Sequence, residues 1–431
     1  MNSIRRFFLL LLLSILIITG AVGCELLPQP TPPSVTLFWE PDLGRGPLLR
    51  LIGKAQHELD ITMYLFTDEA LAQALERAVR RGVEVRLLLE MHPFGGSASN
   101  ERMARRLKQA GIHVRPTNPA FRYTHEKSMI VDGTTGVIMT LNWTRSAFSR
   151  NREFGVIFHY QPWVKEMRAV FEADWHYQIP PRLKEKELVW SPVNARERIL
   201  AFIREAREEL LVEHESLGDS DVVEALTEAA QRHVRVRLIG PPPREDDYKA
   251  WLQRYDLVRA GVHVRLLENP YPHAKVLVAD RRQALVGSTN LTLTSLEFNR
   301  ELSVLIRDPS ALSSLLDVLE EDWKHAVPVN PNPPPRNAIS PADALRYVGK
   351  VVTVEGKVVH TYDTGKVTFL DFTRDKKGLS VVIFARDYGK FPAPPASYYH
   401  NRHIRVRGKI RLYKGAPEII VHSPDEIEII K

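Results

Sequence analysis

Thr124-His125-Glu126-Lys127-Ser128-Met129-Ile130-Val131-Asp132 and Pro272-His273-Ala274-Lys275-Val276-Leu277-Val278-Ala279-Asp280 carry one pattern, His-x-Lys-x4-Asp, at an offset of 148 residues. Thr140-Leu141-Asn142 recurs as Ser288-Thr289-Asn290, and Asn151-Arg152-Glu153 as Asn299-Arg300-Glu301, at that same offset. Upstream, Arg-Gly-Val-Glu-Val-Arg-Leu at 81–87 returns as Arg-His-Val-Arg-Val-Arg-Leu at 232–238, and Ala-Gly-Ile-His-Val-Arg at 110–115 as Ala-Gly-Val-His-Val-Arg at 260–265, with offsets of 151 and 150. One such motif is weak. Two in register, with matching Asn and Glu, mark a duplicated unit.

Each copy opens alike: an amphipathic helix (47–56; 195–207), a strand (59–64; 209–213) and a second helix (68–81; 220–232). The periodicity switches between 3.6 and 2. A third helix, with Gly111 or Gly261 just beyond its end, feeds a short strand, and two more strands follow. The pattern predicts a duplicated α/β sandwich with halves at 36–183 and 184–327.

In a strand, residues i and i+2 share a face, so His125 points with Lys127 and His273 with Lys275. Asn142 and Asn290, the latter in Ser288-Thr289-Asn290, would sit at the end of a neighbouring strand. A pseudo-twofold axis would gather two imidazoles, two ammonium groups and two amides around one phosphate-sized cleft, so one chain suffices for one site. A phosphodiester monoanion repels anionic nucleophiles. A neutral imidazole is suited to attack phosphorus, and a protonated one can serve the departing alkoxide. The lysines and asparagines would hold the non-bridging oxygens as charge redistributes. Glu153 and Glu301 would orient the imidazoles through the other ring nitrogen. His113, His159, His263 and His360 read as structural histidines. His92, His176 and His214 lack metal-ligand spacing and no Asp-rich loop is present, so neither metal nor cofactor is expected.

These motifs resemble the phospholipase D superfamily, over about 36–327. The resemblance implies metal-independent chemistry through a phosphohistidine, with His125 as nucleophile and His273 as general acid. It also implies that Asp132 and Asp280 are structural partners rather than reacting groups. The first half departs from the commoner Gly-Ser-x-Asn pattern at Thr140-Leu141-Asn142-Trp143, and Trp143 is expected to crowd the mouth.

The chain has 431 residues, 44% hydrophobic and 26% charged, which fits a soluble globular protein and argues against a polytopic membrane protein or wholesale disorder. Its single cysteine, Cys24, excludes an intrachain disulfide and a Cys-rich zinc site. Residues 1–24 read as a targeting segment: Arg5 and Arg6, an apolar run from Phe7 to Thr19, then Gly20-Ala21-Val22-Gly23-Cys24. That ending resembles a lipoprotein lipobox, with Cys24 lipidated and the body anchored to a membrane on the extracytoplasmic face of the cell envelope. Residues 25–35, rich in proline, form a short tether.

A second proline-rich stretch, 328–339, is the expected domain boundary. Beyond it, 340–431 holds 16 Lys and Arg against 10 Asp and Glu, supplying +6 of the net +7, a local excess that suggests a polyanionic partner. Five strands are predicted, at 351–360, 366–372, 379–386, 403–412 and 418–422, with Gly356 and Gly408 at bends. This segment resembles a small all-β OB-fold barrel of the nucleic-acid-binding kind. By that resemblance, Lys366, Phe372, Tyr388, Arg405, Lys409, Tyr413 and Lys414 are expected to hold a single strand, with Phe369 and Phe384 in the core. The combined expectation is an anchored nuclease. The alternatives are a phospholipase D or cardiolipin-synthase-like phosphatidyltransferase and, third, a non-catalytic DNA-binding protein.

Overall fold

Strands β1 (Val35–Glu40), β2 (Glu58–Met63), β3 (Glu84–Leu89), β4 (His113–Pro116), β5 (Ser128–Val131), β6 (Thr135–Met139) and β7 (Asn151–Phe158) build the first sheet of the computed structural model, in the order β1-β7-β6-β5-β2-β3-β4. The described residues are 32–94, 96, 98–180, 182–244, 247–329, 338–374 and 378–430. Cys24, most of the tether and residues 330–337 of the linker lie outside them. In the second half β8 (Leu188–Ser191), β9 (Glu209–His214), β10 (Arg235–Gly240), β11 (His263–Leu266), β13 (Lys275–Ala279), β14 (Gln283–Gly287) and β15 (Glu301–Ile306) repeat that order, and β16 (Val327–Pro328) joins the edge beyond β11. The two-residue strand β12 (Tyr271–Pro272) departs from its own sheet and pairs in parallel with β7 of the first, Tyr271 opposite Asn151 and Pro272 opposite Arg152. On the other side of the pseudo-twofold, Thr124 bridges Arg300.

The duplicated helices form where apolar residues recur at helical spacing behind a cap. Glu69–Arg80 (α1) starts at Asp68, whose carboxylate accepts from Leu71 N, and buries Leu71, Ala72 and Leu75. Ser220–Gln231 (α2) starts in the same way at Asp219 and buries Val222, Ala225 and Leu226. These helices cover the outer core of each half. Between the halves lies a third core in which Phe154, Phe158 and Trp163 meet Trp190, Val276 and Leu315. Burial of this size fixes the two sheets against each other, which places the duplicated motifs at one shared seam.

The C-terminal segment folds around its own core, including Val354, Leu370, Val381, Ile404 and Ile419. It differs from the expected five-stranded barrel. Eight strands form two sheets: β17 (Val351–Lys357), β21 (His403–Lys409) and β24 (Ile427–Ile430) in one, and β18 (His360–Asp363), β19 (Val367–Asp371), β20 (Ser380–Phe384), β23 (Ala416–Val421) and β22 (Arg411–Tyr413) in the other. The expected strand 351–360 divides because Val358 N still bonds Arg402 O whereas Val359 N turns to Asp371 O. The strand 403–412 divides at Ile410, whose N–H bonds Lys350 O. Gly408 is required there, since a Cβ would come within 2.3 Å of Ile419 Cγ2.

Candidate active site

The residues before β5 are held by the opposite half, since His125 N and Glu126 N both donate to Arg300 O at 2.9 and 3.0 Å. Two arginines reinforce the seam. Arg152 of the first half bonds Asp322 of the second at 2.6 Å, and Arg300 of the second bonds Asp174 of the first at 2.8 Å. These arginines stand next to Glu153 and Glu301 in sequence but leave both carboxylates free for the imidazoles.

The glutamates cross over. His125 Nδ1 lies 2.9 Å from Glu301 Oε2, and His273 Nδ1 lies 2.8 Å from Glu153 Oε1. Each pair is nearly dry, with both carboxylates fully buried. With Nδ1 engaged, Nε2 is the ring nitrogen left for chemistry. Glu301 is fixed by Ser295 Oγ, which donates to it at 2.6 Å, and by Asn299 Nδ2 at 3.1 Å. Glu153 receives its hydroxyl from Thr140, at 2.6 Å, and an amide from Asn151 at 3.2 Å. The departure at Thr140 is thus a compensation: alanine stands at position 147, the counterpart of Ser295, and Thr140 supplies the missing hydroxyl. Ser288, the counterpart of Thr140, accepts from Leu302 N at 3.1 Å just as Thr140 accepts from Phe154 N at 2.9 Å, but it donates to Leu302 O at 3.4 Å rather than to the glutamate. Trp143 is fully buried and packs edge-on against Phe66 at 4.9 Å, so it belongs to the first core and leaves the mouth open.

Lys127 and Lys275 are among the largest fully buried side chains. The Lys127 ammonium donates to His125 O and lies 5.0 Å over the Tyr64 ring. Burial, with Lys275 nearby, pushes Lys127 down to about 7. Burial also lowers His125, helped by Lys127 and Lys275, which favours the neutral, nucleophilic imidazole. Although burial opposes it, the His125 ring and its hydrogen bond keep Glu301 below the usual carboxylate range. Asn142 and Asn290 follow β6 and β14, and neither Oδ1 has a hydrogen-bond partner among the described residues.

Asp132 and Asp280 are structural. Asp132 accepts from the backbone N–H groups of His57 and Glu58 at 2.7 and 3.0 Å, and Asp280 from those of Glu208 and Glu209 at 2.7 and 3.0 Å. Both adopt φ of 50°.

Two residues missed by the sequence reading join the site. Glu215, just after β9, accepts from Lys275 Nζ at 2.7 Å, and its Oε2 is 3.4 Å from His273 Nε2. Its counterpart just after β2 is Tyr64, whose ring meets His125 edge-on at 4.5 Å. Aligning the halves at the 151-residue offset of the upstream repeats would have exposed this exchange. Of the histidines expected to be structural, His113, His159, His263 and His360 are all exposed at or next to strand ends, with His159 Nδ1 3.0 Å from Thr135 Oγ1 and His360 Nδ1 2.9 Å from Asp371 Oδ2.

The C-terminal candidates divide. Lys366, Lys409, Tyr413 and Lys414 are exposed, and Lys414 Nζ lies 5.4 Å over the Tyr413 ring. Phe372 is instead core, because Thr368, Leu370 and Phe372 form the inward face of the β19 segment. Phe369 and Phe384, expected inside, are half-buried. Arg405 is bound by Glu355 at 2.5 Å and Glu428 at 3.1 Å, and the Tyr388 hydroxyl is shared between Thr368 and Asp363.

A family model described as "Cardiolipin synthase, PLD-like domain" matches residues 48–175 and 199–323. The chain is 24% identical over 317 residues to a cardiolipin synthase of Geobacillus kaustophilus, covering 63% of this chain and 62% of that protein. It is 26% identical over 337 residues to the probable cardiolipin synthase YwiE of Bacillus subtilis, covering 66% and 65%. The chain therefore spans less than two thirds of the length of these curated relatives. Among solved structures, the phosphatidylserine synthase of Haemophilus influenzae superposes with a TM-score of 0.55 at 14% identity, over 68% of this chain and 87% of that one, and so shares the fold. The preference for a nuclease finds no support in these likenesses. The matched residues contain both His-Lys motifs and take up more than half of the sequence, so the chain belongs to the cardiolipin synthase, PLD-like domain family.

Proposed function

We propose that this protein is a phosphatidyltransferase of the cardiolipin-synthase type, working through a phosphohistidine. The observation that carries the reading is the family match over both halves, whose two histidines are each held at Nδ1 by a glutamate of the other half. His125 Nε2 would attack the phosphorus of a phosphatidyl donor while Lys127, Lys275, Asn142 and Asn290 hold the non-bridging oxygens. A second alcohol would then take the phosphatidyl group. Anchoring through lipidated Cys24 on the outer face of a membrane would keep the enzyme at its substrate. Among the described residues no helix is long and apolar enough to cross a membrane.

The test offers phosphatidylglycerol vesicles and, separately, labelled single-stranded DNA, both in EDTA. Cardiolipin and free glycerol from the vesicles support the reading, and DNA cleavage without lipid turnover overturns it. One observation favours the nuclease as second reading: the C-terminal module presents Lys366, Lys409, Tyr413 and Lys414 to solvent.

A further inference from the structure

Tyr64 and Glu215 occupy equivalent positions at the reacting imidazoles, and their chemistry differs in kind. Both follow the strand beside the motif, and both touch the histidine and the lysine of their own half. The first half presents an aromatic edge. The second presents a carboxylate, 2.7 Å from Lys275 Nζ and 3.4 Å from His273 Nε2. His273 thus has a carboxylate at each ring nitrogen, Glu153 at Nδ1 and Glu215 at Nε2. Among the described residues His125 has one, at Nδ1. Although burial opposes ionisation of Glu215, the charges of His273 and Lys275 hold it well below the usual carboxylate range.

We infer that Glu215 is a positioning residue that breaks the equivalence of the two halves, keeping a proton on His273 Nε2 so that His273 serves the leaving group and His125 attacks. This rests on the phosphohistidine reading above. In the first step the His125 Nε2 lone pair forms the P–N bond. The P–O bond to the departing alkoxide breaks as the proton on His273 Nε2 passes to that oxygen, which leaves as a neutral alcohol. In the second, the acceptor hydroxyl returns a proton to His273 as its oxygen displaces His125 from phosphorus. A carboxylate at Nε2 of His125 would obstruct attack by that nitrogen, and Tyr64 places none there.

Two phosphatidyl esters differing only in the leaving alcohol, glycerol and p-nitrophenol, test the assignment. p-Nitrophenolate departs without a proton. Glu215→Gln is expected to lose at least 30-fold more rate on the glycerol ester than on the p-nitrophenyl ester, and Glu215→Asp to recover most of that ratio. Alkaline quenching should trap the phosphoryl group on His125 in both proteins. Equal losses on both esters, or a phosphoryl group trapped on His273, would overturn the inference. Inactivity of the wild type on both esters would instead count against the phosphohistidine reading. Imidazole 15N NMR needs no turnover: the geometry predicts a proton on His273 Nε2 in the wild type and its loss in Glu215→Gln. A spectrum unchanged by the substitution overturns the inference. The other titratable groups in this field are Glu153 and Lys275 at His273, and His125, Lys127, His214 and Tyr271 near Glu215, and both variants keep them all.

Discussion

His125 and Glu301 belong to opposite halves of the chain, yet Nδ1 of one lies 2.9 Å from Oε2 of the other. With the mirror pair His273 and Glu153, this makes each imidazole depend on the other half for its orientation. Glu301→Gln can still meet the ring but no longer fixes its tautomer or balances a developing imidazolium. In a comparable triad such a loss costs about 10^4-fold, so kcat is expected to fall by about 10^2- to 10^4-fold in Glu301→Gln and in Glu153→Gln. Steady-state kinetics on protein with an unchanged circular dichroism spectrum checks this. A loss below about threefold would place the orienting function elsewhere.

Asp132 completes the motif in sequence but serves the fold, through backbone donors at His57 and Glu58. Asn tolerates the same φ and keeps one acceptor oxygen, so Asp132→Asn removes charge and part of the bonding. A cost of about 1 to 2 kcal/mol in urea unfolding is expected, with kcat per folded enzyme within about threefold of wild type. Those N–H bonds, against the opposing effect of burial, hold Asp132 below its ordinary value. Its contribution is therefore complete above the unfolded carboxyl range and disappears as pH falls through the folded value.

The duplicated motifs, the glutamates and the lysines are legible because an exact offset repeats polar residues that packing alone would not keep in register. The crossing of Glu301 to His125 is not legible, since an offset gives equivalence and not partnership. The handover of a hydroxyl from Ser295 to Thr140 is hidden for a similar reason: the two residues stand at non-equivalent positions and meet equivalent carboxylates. In the β19 segment Thr368, Leu370 and Phe372 face inward, the reverse of the expectation that Phe369 lies inside and Phe372 outside. A choice between two faces reverses every side chain, which is why Phe369 and Phe372 exchanged places. The divided strands at Val359 and Ile410 follow from long-range partners that local propensity does not encode.

His214 gives a pH prediction. It is buried, opposite Lys275 in the β9–β13 ladder, and burial with that lysine pushes it down to about 3. The unfolded chain takes up a proton near pH 6.5 and the folded chain does not, so stability falls as pH drops below that value, by up to about 1.4 kcal/mol per pH unit. His214→Leu, which removes the titration at similar volume, is expected to flatten the stability curve between pH 6.5 and 4. His125, lowered in the same direction, leaves some slope behind. Urea unfolding at half-unit pH steps checks it, and parallel curves for both proteins would refute it.

The C-terminal module separates the two substrates. Lys366, Lys409 and Lys414 are exposed, whereas Arg405 is already bound by Glu355 and Glu428. Under the phosphatidyltransferase reading, protein beginning at Ser34, free of any anchor, should bind phosphatidylglycerol vesicles in low salt and release them as salt rises, each lysine near the surface contributing about 1 kcal/mol. Replacing the three lysines by Gln should abolish most of that binding. Arg405→Gln should leave it nearly unchanged and lower the melting temperature instead, because Glu355 and Glu428 each lose an ion pair. The nuclease reading makes a different demand: single-stranded DNA should bind with a log-log salt slope of about −0.7 per phosphate contact, and Tyr413→Ala should weaken that binding by about 1 to 3 kcal/mol if a base stacks there. Vesicle binding that survives in full after the triple lysine change, together with DNA binding that depends on Tyr413, would reverse the order of the two readings. The lysines alone attract either polyanion, so the tyrosine is the discriminating residue: an exposed ring rewards a base face and adds nothing specific to a phosphate surface.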